Sequence, residues 1–285
     1  MTTASAVFVA VAFVGSLVMN GLAASGVFGK GIGEISDDNP TYVTPDGITF
    51  AVWGLIYSLL SILVAAQFCP SDSASELLDK KAMNLDVRQR LIIAFLLNGI
   101  WLPFFVKELF WVAFAIIVLY LVTLVSVYMD VNTRETTSFF EWLAYAAPVA
   151  TNASWVLVAT FANLFTCLRN AGWKDQYGVG GSVPGAMVVA VLVASVAVGL
   201  VFVLRSVMWS SVAAWALFGI YRMQTIPSES FPVEAMSQNL AFTAMSCAVV
   251  ASVATLIVLL LIAYESCFKK AGGLISEEES DVTGE

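Results

Sequence analysis

Histidine is absent from the 285-residue chain, which removes the side chain most used as a general base, metal ligand or haem ligand. Charge is scarce as well. Asp, Glu, Lys and Arg make up 12% of the residues, against about 25% in a water-soluble domain, so most of the surface is not built for water. No charge of either sign falls in 2–29, 47–71, 91–106, 109–129, 142–168, 176–204, 206–221 or 235–264. A bilayer core needs about 20 apolar residues as helix, within a range of roughly 17–25. The two short runs, 91–106 and 206–221, are flanked by Arg90, Lys107, Arg205 and Arg222, whose long side chains reach headgroups from inside a span. Eight transmembrane helices are therefore expected. Barrel strands would alternate apolar and polar residues, and these runs do not.

Other absences narrow the function. The four cysteines, Cys69, Cys167, Cys247 and Cys267, show neither metal-ligand nor disulfide-framework spacing and read as small apolar residues, with Cys267 a juxtamembrane acylation candidate. No nucleophile has a base beside it, and no carboxylates are paired inside a span, so neither an enzyme nor a cofactor or metal site is expected. Net charge is −8 with scattered basic residues, which excludes nucleic acid as a partner. The first apolar run lacks the positive flank of a signal peptide and is expected to stay as a helix.

The helices expected are 4–27, 47–68, 89–106, 109–129, 141–168, 183–204, 207–222 and 237–264, joined by a Gly/Asp/Pro-rich loop at 28–46, a solvated segment at 70–88 and a tight turn at Lys107-Glu108. The glycine-rich stretch 170–185 is the clearest punctuation. With eight spans, both termini and the 70–88 segment share one side. That side carries eight Lys or Arg (Lys80, Lys81, Arg88, Arg90, Arg134, Arg205, Lys269 and Lys270) against five on the other (Lys30, Lys107, Arg169, Lys174 and Arg222), which places the termini in the cytoplasm by the positive-inside rule. Small residues recur at Ala186, Ala190, Ala194 and Ala197, and at Ala244, Ala248, Ser252 and Thr255. They read as close internal helix packing rather than a dimer seam, and the oligomeric state stays open.

What the chain does have is tryptophan beside intramembrane amides. In "TPDGITFAVWGLIYSLL" (44–60) Phe50, Trp53 and Tyr57 share a helical face. "LLNGIWLPFF" (96–105) puts Asn98, Trp101 and Phe105 on one side, and "PVATNASWVLVATFAN" (148–163) does so with Asn152, Trp155, Ala159 and Asn163. A Trp at a helix end belongs to the aromatic belt, which is the expectation for Trp111, Trp142, Trp173 and Trp209. An Asn in hydrocarbon must face the bundle interior. There it is either interhelical glue, averaging about 0.6 kcal/mol, or the lining of a pocket, and the pattern alone leaves both open.

Taken together, "TPDGITFAVWGLIY", "LLNGIWLPFF" and "SWVLVATFAN" resemble the tryptophan-rich sensory protein family, also called TspO or translocator protein. The resemblance lies in a Pro-rich first loop, a Trp-x-x-x-Tyr helix, a Leu-Asn-x-x-Trp helix and a helix running Trp, Ala-Thr, Asn, in that order. Where many members carry a Trp after the loop prolines, this chain has Gly47 and Ile48. The resemblance implies an all-α, polytopic transmembrane bundle with a five-helix core over 1–170, a three-helix extension over 171–264 and a disordered acidic tail over 265–285, as in the longer bacterial-type members. It also implies a pocket for a flat hydrophobic ligand of the tetrapyrrole or sterol class, lined by Pro45, Trp53, Tyr57, Asn98, Trp101, Phe105, Trp155, Ala159 and Asn163. Such a protein acts as a sensor, carrier or buffer. A small-molecule transporter and a structural subunit of a membrane complex are the alternatives.

Overall fold

The computed structural model describes residues 2–132 and 138–283, with side chains for 4–132 and 138–267. Arg134 and the side chains of Lys269, Lys270 and Ser276 therefore lie outside the described residues. The helices are α1 (Thr2–Ala24), α2 (Ile32–Asp38), α3 (Val52–Ala66), α4 (Asp72–Asp79), α5 (Val87–Val106), α6 (Phe110–Val131), α7 (Phe139–Glu141), α8 (Ala147–Asn170), α9 (Val183–Leu204), α10 (Val207–Met223) and α11 (Gln238–Thr283). A 3₁₀ turn, Gly47–Ala51, leads into α3, and a π-helical turn, Trp142–Ala146, leads into α8. The bundle is all-α apart from a hairpin pairing β1 (Lys81–Ala82) with β2 (Leu85–Asp86).

The long helices begin and end close to where the charges do. Asp86 starts α5 with a reciprocal cap, its carboxylate accepting from Gln89 N–H at 2.8 Å while the Gln89 side chain accepts from Asp86 N–H at 2.9 Å. The solvated segment 70–88 contains a short helix, α4, and the β1–β2 hairpin. Ser71 caps α4, and α4 turns Leu77 and Leu78 inward. Most of the acidic tail expected over 265–285 lies outside the residues whose side chains are described.

Among the described residues, seven helices are long and apolar enough to cross a membrane. The eighth, α10, has 17 residues, about 25 Å of rise. Polar contacts show that it runs from one end of the bundle to the other. At one end of the bundle Arg90 pairs with Asp130, Asn132 Nδ2 donates to Leu204 O at 3.0 Å, and Arg205 pairs with Glu265 at 2.7 Å. At the other, Arg222 Nε meets Asp46 at 3.0 Å and Arg169 Nη1 donates to Asn39 at 2.9 Å. Helix α10 leaves the first end directly after Arg205 and reaches the second at Arg222.

This helix is also the most enclosed of the late ones. Its Trp209, Val212, Ala213, Ala216, Leu217 and Ile220 are all buried, packed among α8, α9 and α11. Ser154 Oγ donates to Trp209 O at 2.8 Å, and Ser210 Oγ donates to Ala251 O at 3.1 Å. Trp209 thus departs from the belt expectation. It is 3% exposed and lies 5.5 Å from the Tyr128 ring, because the first turn of a central helix is covered by its neighbours. Trp111 and Trp173 are exposed at helix ends. The small stripe of α9 is buried throughout, whereas on α11 Ser252 is exposed and Ala251 takes its place beside Ala244, Ala248 and Thr255.

Candidate functional site

A cavity of about 890 Å³ opens at the end of the bundle that holds α2 and the 40–47 loop. Its wall is built from one stripe on each of three helices. Helix α3 supplies Trp53 and Tyr57, whose rings stack at 5.3 Å. Helix α5 supplies Trp101 and Phe105, tilted together at 4.9 Å. Helix α8 supplies Trp155, Val158, Ala159, Ala162 and Asn163, residues spaced by three and four so that one face looks inward. Trp155, 2% exposed, is the meeting point, edge-on to Phe50 at 5.4 Å and to Trp53 at 6.5 Å.

Eight of the nine residues named from the sequence line this cavity: Pro45, Trp53, Tyr57, Trp101, Phe105, Trp155, Ala159 and Asn163. Asn98 does not. Its Oδ1 accepts from Ser16 Oγ at 2.6 Å and from Asn20 Nδ2 at 2.9 Å, so it ties α5 to α1 behind Asn20, which does face the cavity. Asn152 is also structural, donating to the Tyr120 hydroxyl at 2.6 Å. Asn163 is the reverse case. It is 2% exposed, and neither its Oδ1 nor its Nδ2 has a partner. Trp101 Nε1 is likewise buried without one. Orphaned buried polar atoms are uncommon, and here they border a space that a ligand can fill.

The mouth was not legible from the sequence. Asn20 and Gly21 of α1, Ile32, Ser36 and Asp37 of α2, Met223 of α10 and Ser228, Ser230 and Phe231 of the last loop complete the lining. Phe231 is 2% exposed and lies edge-on to Tyr42 at 5.9 Å. Nothing in the sequence set Phe231 apart from Ile226 and Val233 of the same loop, which are exposed. Tyr42 in turn donates to Asp175, and burial together with that carboxylate pushes its phenol well above the usual range. At Asp37, burial and the adjacent Asp38 raise the carboxyl above its ordinary value, offset in part by the Ser230 hydroxyl.

The 45–51 segment that carries Pro45 and Phe50 is fastened to α10. Asp46 N–H donates to Gly219 O at 3.0 Å, Trp215 Nε1 donates to Thr49 O at 2.9 Å, and Arg222 grips the Asp46 carboxylate. Gly219 allows this approach, since a Cβ there would lie 2.6–2.8 Å from atoms of Thr49 and Pro45.

No curated protein and no solved structure matches the chain. The family model described as TSPO-like protein matches residues 6–258, from the first helix into the last. With that match over seven apolar spans, the chain is an integral membrane protein and belongs to the TSPO-like family.

Proposed function

We propose that the protein binds a flat, largely hydrophobic small molecule of the porphyrin or sterol class in the Trp-lined cavity, as a sensor, carrier or buffer and not as a catalyst. The observation that carries this reading is that Trp53, Trp101 and Trp155, on three separate helices, border one cavity together with the orphaned amide of Asn163. The volume lies within the roughly 300–1,000 Å³ of small-molecule sites, which are mostly apolar with a few placed polar groups. Indole faces and edges suit a planar ring. The stacking tryptophans also supply the readout. Titrating the purified protein with a porphyrin should quench their fluorescence saturably, and Trp155→Ala should weaken binding by about 1–3 kcal/mol, the loss of one large buried apolar contact. Unchanged affinity in both Trp53→Ala and Trp155→Ala would overturn the proposal.

A further inference from the structure

The charge around this cavity is one-sided. Among the described residues that line it, the charged ones are Asp37 and Asp46, both acids. Their surroundings differ. Asp46 is engaged, with Oδ1 accepting from Ile48 N–H and Oδ2 from Arg222 Nε, each at 3.0 Å. Asp37, exposed on α2 at the mouth, has Asp38 beside it and Ser230 as its donor. At this end Lys30 pairs with Asp38, Arg222 pairs with Asp46, and Arg169 is hydrogen-bonded to Asn39 and the Gly178 carbonyl, and none of the three lines the cavity. The raised carboxyl of Asp37 is the mark of a partly covered acid without a counter-ion. Asn163 is an independent pointer to a ligand, since its unpartnered amide offers one acceptor and two donors to whatever enters.

We propose that the cavity selects hydrophobic molecules whose polar end is a protonated amine, seated against Asp37, and that it disfavours molecules carrying carboxylates there. This rests on the cavity being a ligand site and adds the charge of the ligand. The sign of the effect is fixed by the lining: an ammonium at the mouth neutralises Asp37, whereas a carboxylate meets a second anion where the described lining holds no Lys or Arg. Selectivity then comes as much from the repulsion as from the attraction. The amide of Asn163, deeper in the wall, satisfies a hydrogen-bonding group on the body of the ligand and contributes equally whatever the charge of its end.

The experiment uses the full chain in nanodiscs of zwitterionic lipid at low salt, with three probes sharing one ring: protoporphyrin as the free diacid, its dimethyl ester, and its bis-amide bearing dimethylaminoethyl groups. Tryptophan quenching should rank the amine tightest, the ester next and the diacid weakest, with about tenfold or more between the extremes. Asp37→Asn, which keeps a hydrogen-bond acceptor for Ser230, should bring the three to within about twofold of one another. Asn163→Leu should weaken all three alike and preserve the ranking. A diacid that binds as tightly as the amine, or a ranking that survives Asp37→Asn, overturns the charge selectivity while the binding site stands. No saturable quenching by any of the three overturns the site itself.

Discussion

Two asparagines, one on α5 and one on α8, show how little a residue's type decides. Asn98 and Asn163 both sit on a tryptophan face inside a span, and both are almost fully buried. Asn98 spends its carbonyl on Ser16 and Asn20, while Asn163 spends nothing. Their truncations should therefore separate stability from binding. Asn98→Ala removes a shared acceptor between α1 and α5 and should lower stability by about 1 kcal/mol, leaving porphyrin affinity near its original value. Asn163→Ala deletes an orphan whose desolvation already costs the fold, so stability should hold or rise slightly while affinity falls. Thermal unfolding in detergent read beside tryptophan quenching checks both, and the opposite pattern would exchange their roles. The sequence could not make this distinction, because the partners of Asn98 lie 78 and 82 residues away.

Among the elements, the long helices were legible and their relations were not. Uncharged runs bounded by arginine, lysine, glutamate or aspartate set both ends of α5 and α6 and the last turn of α9 to within a few residues, since the cost of burying charge in lipid is written locally. The three lining stripes were legible for the same reason: helical period alone puts Trp155, Ala159 and Asn163 on one face. Helix α10 was different. It reads as one more short span, with Trp209 as a belt residue, yet it is the brace behind the cavity wall. Its apolar residues, large and small, run round the helix without forming one stripe, because neighbours cover it on most sides. The close contact at Gly219 tests that role. Gly219→Val forces a branched side chain to within overlap of Thr49 and Pro45, an overpacking that costs about 1–3 kcal/mol. We expect a lower melting temperature together with weakened porphyrin quenching, since the 45–51 segment moves with Pro45 and Phe50. Lost stability with intact affinity would show that α10 supports the bundle without shaping the cavity.

At the scale of the molecule, the end-to-end run of the helices and the cavity mouth at one end give the protein a direction. The ion pairs at the two ends fix which loops lie together, and the first helix begins at the end where the last span finishes. Helix α1 confirms it by running parallel to α5, with Phe13 beside Phe95 and Ser16 beside Asn98. By the positive-inside rule, eight Lys or Arg against five predict that shared end in the cytoplasm, and the cavity, with α2 and Asp37, on the opposite side. Native thiols provide the control. Cys69 and Cys267 are both exposed and both belong to the end expected in the cytoplasm, whereas Cys167, nearer the mouth, is buried. Gly33, on the cavity rim, faces open space where a Cβ meets nothing within 4 Å, which makes it a suitable place for a reporter. In intact cells with the protein at the surface, a membrane-impermeant maleimide should label Gly33→Cys and spare the native chain, with Cys69 and Cys267 reacting only after permeabilisation. Labelling of Cys69 from outside would reverse the orientation. Labelling of Cys267 but not Cys69 from outside would mean that α10 does not cross, and the polar contacts at its two ends would then need another explanation.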